Sequence, residues 1–415
     1  MIVVGGGPAG IMAAIAGAEA GAKVTLWERN KQLGRKLAIT GKGRCNITNQ
    51  APNIQELIRH IPGNGQFLYG AFSRFSVQDT LDFFTNAGLE LKTERGRRVF
   101  PASDNAHDVV AALEKRLAQA GVRVAYGLRA KKLALAQGAV AGVYDFSGAL
   151  HPAQAVVIAT GGVSYPLTGS TGDGYNLARQ VGHTIVPPRP SLAPLETVEA
   201  WPAQLSGLSL KNVSVSLLQE GKVLEKGFGE MLFTHFGVSG PLILTLSRQA
   251  CLATDQGRGL GLLIDLKPAL DEAQLDQRLQ RNFLRFTRKI YQNSLGDLLP
   301  ASLIPVFVLL SEIPGEKPVN QLSRGERRRV AALLKGLPLT VKGPRPLDEA
   351  IVTAGGVQVA EILPKTMASR LAQGLYFAGE VLDIDGYTGG YNLQAAWSTG
   401  HVAGAAAAAF LELEP

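Results

Sequence analysis

An α/β fold with a second body spliced into its middle is the class this sequence predicts, and three observations predict it. Short apolar runs ending in glycine turns recur near both ends of the chain, at 2–7, 155–162 and 375–380. The first run opens a strand, turn, helix, strand, acid series. Between two proline-bearing boundaries, 184–196 and 342–350, the pattern changes to alternating strands and then to amphipathic helices.

The series begins with Ile2–Val4, an apolar run suited to a buried parallel strand. Gly5, Gly7 and Gly10 follow as G-x-G-x-x-G, with Pro8 and Ala9 inside the pattern. Residues 11–22, IMAAIAGAEAGA, are rich in helix formers and small side chains. KVTLWE resumes strand character and ends on Glu28, followed by Arg29. This is the context of a Rossmann-like dinucleotide site. Gly5 permits the tight turn, Gly7 lets a diphosphate approach the backbone, and Gly10 lets the helix pack on the strand. The helix N-terminus favours the anion. Glu28 is placed to accept ribose hydroxyls and to repel a 2′-phosphate.

GRKLAITGKGRCNITN (34–49) comes next. Arg35, Lys36, Lys42 and Arg44 alternate with glycines, including Gly43, and Asn46, Thr48 and Asn49 add neutral donors and acceptors. Such a segment is either a solvated basic loop or a ligand-facing one; the interleaving of cations with glycines favours the second. AVVIATGG ends a further strand on Thr160, Gly161 and Gly162, and LYFAGE ends another on Gly379 and Glu380. Both turns fall where open α/β sheets bind ligands. The last segment, from Gly390, Tyr391 and Asn392 onward, reads as a long Ala/Gly-rich helix. Its N-terminus either faces a ligand or simply packs; both fit.

The nucleotide-binding domain is therefore expected to be discontinuous, 1–190 plus 345–415, with an insertion at 191–344. The insertion is expected to be β-rich over about 191–265, with a hairpin turning at Glu220–Gly221, and helical over about 268–340. Leu275, Leu279, Phe283, Phe286 and Ile290 share one side of a helix. Arg281, Arg285 and Arg288 recur at helical intervals beside them.

Composition narrows the function classes. The chain of 415 residues is 46% hydrophobic and 18% charged, as in globular proteins of two or three domains. No apolar run is long enough to span a membrane, and the start lacks the basic region and cleavage site of a signal peptide. Cys45 and Cys251 are the two cysteines, so neither a disulfide framework, a CxxC pair nor metal-ligand spacing is present. A cytoplasmic protein is expected. The net charge is +8, yet residues 278–345 hold thirteen Lys/Arg against four acids, a balance of +9. That concentration marks a solvated face or a polyanion-binding one.

The opening fingerprint and the G-x-K-x-x-x-T-G-x-G-R-C-N pattern at 34–46 closely resemble the BaiN/RdsA-like family of FAD-dependent oxidoreductases. The resemblance continues through ATGG (159–162), GSTGDGYNLARQVGH (169–183), LFTHFGVSGP (232–241), VTAGGV (352–357) and LYFAGEVLDIDGYTGGYNLQAAWSTG (375–400). It implies FAD as cofactor, with Glu380 or Asp383 on the ribityl chain or diphosphate. Asp173 is then either near the flavin or a turn-forming Asp–Gly pair. Since no second fingerprint occurs, NAD(P)H is expected as a transient reductant at the flavin. Members of the family are proposed to reduce uridine in large-subunit ribosomal RNA, and others act on small molecules. The basic insertion favours ribosomal RNA, whose target base must leave its stack. The alternatives are a small-molecule oxidase or reductase and a non-catalytic flavin-bound RNA-binding protein. Two catalytic candidates follow. Cys45 is expected to have its thiol pKa lowered by neighbouring cations and to protonate the substrate, or else to pack beneath the flavin. His235 in FTHFG either contacts the flavin from the insertion or is structural.

Overall fold

The computed structural model describes residues 1–254 and 259–413. The chain divides into two compact units, Met1–Ser191 with Leu347–Pro415, and Leu192–Pro346.

The first unit is built on a five-stranded parallel sheet in the order Leu375–Phe377, Val156–Ile158, Ile2–Val4, Thr25–Glu28, Arg123–Tyr126. The three central strands are largely apolar and buried, because the sheet is covered by helices Pro8–Glu19 and Tyr391–Leu413 and by the antiparallel sheet Ala130–Ala136, Ala139–Asp145 and Leu150–Pro152. Ile2–Val4 lies between a strand that follows it in sequence and one that comes much later. The strand order reverses there, which opens a crevice at the carboxyl ends. Helix Pro8–Glu19 packs along the C-terminal helix Tyr391–Leu413 at very close range. Gly400 and Gly404 make this possible: a Cβ on either would lie 2.3 or 2.1 Å from the carbonyls of Ala9 and Ala13. The C-terminal helix is further tied down by Trp397, whose indole donates to Ile47 O at 3.0 Å. The segments leading into and out of the second unit, Ile185–Ser191 and Val352–Val357, pair antiparallel.

The second unit is a closed six-stranded antiparallel barrel with helices. Its hairpin, Ser209–Gln219 and Lys222–Thr234, turns at Glu220 and Gly221, both with positive φ (49° and 78°), as a tight two-residue hairpin requires. Two expectations are corrected. The barrel is not confined to the part before residue 265, because Leu337–Pro344 returns after the helices and closes it against Leu260–Asp265. The helix through Leu275 runs Glu272–Arg285 and stops at Phe286, so Arg288 lies in the turn beyond it. Phe286 and Ile290 leave the helix because the chain turns to bridge Ile290 with Pro318.

His183 gives the first unit a pH dependence. Its buried ring bonds Glu361 Oε2 through Nδ1 at 2.9 Å and Ser369 Oγ through Nε2 at 2.8 Å. Burial lowers its pKa despite the carboxylate. His401, half-buried and stacked on Phe75, is lowered for the same reason. As pH falls below about 6.5, the unfolded chain binds protons that the folded one refuses, so stability falls. The midpoint of thermal unfolding is expected to drop between pH 7.5 and pH 5.5, and His183→Gln to flatten that drop.

Candidate flavin site

The crevice is assembled from four strand ends. Gly5 ends the first strand with φ 110°, and a Cβ on it would lie 2.5 Å from Ala159 O. Gly10 is tighter still, 1.8 Å from Gly5 O. Gly7 differs: nothing lies within 4 Å of where its Cβ would project. It is the N-cap of helix Pro8–Glu19 and supplies no side-chain cap, so the first-turn amides and the helix dipole address open space. Glu28 is buried at the next strand end. Its Oε2 accepts from Gly6 N at 2.9 Å, and its Oε1 accepts from the backbone and side-chain nitrogens of Asn30, each at 2.7 Å. Three of about four carboxylate acceptor positions are thus used, which leaves one for a ribose hydroxyl.

Helix Arg35–Gly43 carries the basic segment. Lys36 Nζ donates to Ser164 Oγ at 2.7 Å and to both Glu380 oxygens at 3.0 and 2.8 Å. Glu380 also accepts from Ser164 Oγ at 3.1 Å and Thr353 N at 2.9 Å. Thr353 Oγ1 in turn accepts from the amides of Val163 and Ser164. Gly162 lies against this knot, where a Cβ would be 2.3 Å from Thr353 Oγ1. Ser164 and Thr353 were not singled out in the sequence; Thr353 lies in the VTAGGV motif and reaches the site from beyond the insertion. Gly161 (φ 73°) and Gly379 (φ 76°) make the turns on either side. A Cβ on Gly379 would lie 2.7 Å from Ala9 Cβ, which sets this turn against the first turn of the dinucleotide helix. Asp383 receives the Asn64 amide at 2.9 Å. Gly390 (φ 99°) leads into the C-terminal helix, and Tyr391 at its start stacks on His60 at 4.3 Å. Asn392 is occupied with Gly386, bonding both its N–H and C=O at 2.7 Å.

Other predicted residues are engaged elsewhere. Arg35 donates to Asn30 Oδ1 at 2.9 Å. Arg44 turns to Glu94 and Asp104 and lies over the Phe100 ring. Asp173 is gripped by Arg129 (2.6 and 2.7 Å) and by Arg29 (3.3 Å), next to Glu28. Its carboxylate therefore belongs to the sugar-acid side of the crevice. Arg129 was not foreseen. His235 is exposed at the two-residue turn before Gly237–Ser239 in the second unit and meets Phe236 edge-on.

The expectation of a thiol activated by its flanking cations is corrected. Cys45 is fully buried, Arg44 points away from it, and burial pushes its pKa up to about 12, only partly offset by a hydrogen bond with Thr40. A neutral buried thiol is unreactive. In the folded protein Cys45 is expected to resist iodoacetamide at neutral pH and to react after unfolding; mass spectrometry of the alkylated peptide reads this directly.

The crevice fits a flavin adenine dinucleotide. Besides the uncapped helix and the open Gly7, two of the seven unpartnered buried polar atoms among the described residues belong to the crevice, Thr160 Oγ1 at a strand end and the Tyr175 hydroxyl. Buried orphans of this kind are rare unless a ligand completes them. Tyr175, 3% exposed, also feels the charges of Glu380 and Asp383. Among the described residues no group of three His, Cys, Asp or Glu is placed to hold a metal ion, and no helix is long and apolar enough to cross a membrane.

A Rossmann-type FAD-binding oxidoreductase is the class that fold and crevice define. The chain belongs to the HI0933-like protein Rossmann domain family, which matches residues 1–406. It is 35% identical over 98% of its length to a 3-dehydro-bile acid delta(4,6)-reductase of Clostridium scindens, covering 98% of that protein. It is 31% identical over 96% of its length to a ribosomal RNA dihydrouridine synthase of Escherichia coli, covering 95% of that protein. In fold it is similar to a 3-ketosteroid delta1-dehydrogenase of Sterolibacterium denitrificans, with a TM-score of 0.54 at 13% identity, over 98% of this chain and 99% of that one. The protein is an FAD-dependent oxidoreductase.

Proposed function

We propose that this flavoenzyme reduces uridine to dihydrouridine in large-subunit ribosomal RNA, with NADH or NADPH as the ultimate donor. Both activities named among its relatives, the bile acid reductase and the dihydrouridine synthase, saturate a carbon–carbon double bond. Uracil offers such a bond, C5=C6, polarised by the carbonyl at C4. The observation that favours RNA over a small enone is the concentration of positive charge in one part of the second unit, +9 over residues 278–345 in a unit whose net charge is +5.

Reduced FAD, when bound, would supply the hydride-transfer chemistry, and reduction of uracil would take a hydride at C6 and a proton at C5. The chain's residues hold and orient. Helix Pro8–Glu19 faces the diphosphate, Glu28 the ribose, and the Lys36–Glu380 pair fixes the turn at the centre of the crevice. Cys45 is a packing residue in this account, since a fully buried thiol presents no proton to C5. Cys45→Ala should therefore leave turnover and its pH profile near wild type.

The 35% identity to the bile acid reductase supports a second reading, reduction of a small enone. Nucleoside analysis of ribosomal RNA from a strain lacking the gene separates the two. Loss of one dihydrouridine, restored by the purified enzyme with NADH or NADPH, supports the first reading. Unchanged dihydrouridine rejects it. Anaerobic bleaching of the flavin by each nucleotide identifies the donor.

A further inference from the structure

We propose that the outward groove of helix Glu272–Arg285 is the docking site for the phosphodiester backbone of RNA. The inference rests on the ribosomal RNA reading above and names the surface that would hold that substrate.

The groove encloses about 620 Å³ and is lined by Gln274, Gln277, Arg278, Arg281, Arg285 and Asp297. Helical periodicity makes it: 274, 278, 281 and 285 form one stripe, while Leu275, Leu279 and Phe283 are buried on the other side. The cationic face is therefore held by a packed helix. Asp271 caps its start with a reciprocal Gln274 bond, and Asp276 pins it to Arg327 at 2.7 Å.

Ion pairing then decides where the charge is available. Of the thirteen cations between 278 and 345, seven are paired with carboxylates: Arg285, Lys317, Arg327, Arg329, Lys335, Lys342 and Arg345. Among the described residues Arg278, Arg281, Arg288, Lys289, Arg324 and Arg328 have no ion-pair partner. Four of these six lie on this helix or in the turn that follows it. Lys267, half-buried nearby, also has no ion-pair partner, and burial and the charge of Arg278 lower its pKa. The like charges are thus left in mutual repulsion, a state that a polyanion relieves. Asp297 neutralises only Arg285, at 2.8 Å.

The chemistry suits a nucleic acid backbone rather than a single carboxylate. Arg278 to Arg285 spans about 10 Å of helix. That length suits a short run of successive phosphates along one strand rather than a single anion. Arginines grip phosphate oxygens through a planar fork. The Gln277 amide both donates and accepts, as a 2′-hydroxyl requires, and the Gln274 amide, whose oxygen closes the cap, adds N–H donors.

The test uses the FAD-loaded protein and a fluorescently labelled RNA hairpin with a uridine-containing loop, titrated by anisotropy at several salt concentrations. R278E/R281E is expected to weaken binding about tenfold or more and to flatten the log–log salt dependence by roughly 1.4, for two lost contacts. R324E/R328E, which reverses two unpaired cations on another helix, is expected to change both far less. Flavin absorbance and melting temperature should stay at wild type in each; R278Q/R281Q replaces the reversal if it does not fold. Equal weakening by the two pairs, or an unchanged salt slope in R278E/R281E, overturns the proposal. Dihydrouridine formation keeps the two readings apart. Selective loss of RNA affinity in R278E/R281E, with no dihydrouridine made by wild type, supports the docking site and rejects the reaction. Unaltered affinity in R278E/R281E, with dihydrouridine made normally, rejects the docking site and keeps the reaction.

Discussion

Gly7→Val is expected to fold normally and to lose FAD. The backbone at Gly7 has φ −88° and ψ −177°, which any residue adopts, and its missing side chain would project into open space. Nothing in the folded chain resists the change. The space it fills is where a dinucleotide must approach the amides of the first helical turn. The FAD dissociation constant should rise by about 100-fold, roughly 2.7 kcal/mol, while the melting temperature without FAD stays within a few degrees of wild type. Gly10→Val is the contrasting case. Its side chain would collide with the backbone of Gly5, with no flexible atom to yield, so this variant should lose folding stability by more than about 4 kcal/mol. Two glycines of one fingerprint are thus expected to fail differently, one in binding and one in folding. Flavin fluorescence titration and thermal unfolding read the two effects separately.

Glu380→Ala should be the most damaging change to a polar side chain in the crevice. Three donor groups converge on this carboxylate from three distant segments, making four hydrogen bonds: Lys36 with two, Ser164, and the amide of Thr353. The Lys36 and Glu380 side chains are only about one-fifth exposed, 21% and 22%. Truncating Glu380 leaves a half-desolvated ammonium and an amide without their acceptor. A loss of about 2 kcal/mol is expected after allowance for the water that reaches the pair. FAD retention should fall with it, because the turn Gly379–Val381 and helix Arg35–Gly43 lose their shared anchor. Lys36→Met combined with Glu380→Gln should cost less than the sum of the two single changes, since the double variant leaves no charge unpaired. Additive losses in that cycle would show that the pair does not act as a unit.

The parts of the fold set by local pattern were legible before the structure. Four of the five parallel strands announced themselves as apolar runs, the hairpin as alternation around Glu220–Gly221, and the dinucleotide helix as glycines before small helix formers; the half-exposed edge strand Arg123–Tyr126 did not. Closure of the barrel was not legible, because Leu337–Pro344 pairs with a strand about seventy residues earlier and carries no local sign of that partner. The site divides in the same way. Glu28 could be located by its distance from the glycines. Thr353 and Arg129 could not, because each reaches its partner across long stretches of chain. Cys45 failed for a different reason. Its neighbours in sequence are cations, but its neighbours in space are apolar: the backbone at Cys45 is left-handed (φ 58°), Arg44 swings out to Glu94 and Asp104, and the thiol is left in the core. Charge proximity in sequence is a poor guide where a turn separates adjacent side chains.

The central claim is that the crevice where the strand order reverses seats an adenine dinucleotide. A crystal structure of the protein purified with FAD tests it most directly. The account predicts the diphosphate at the first turn of helix Pro8–Glu19, over Gly7, with a ribose hydroxyl on Glu28. FAD bound elsewhere, or in this crevice with Glu28 still closed on Gly6 and Asn30 and no hydroxyl on it, would contradict it.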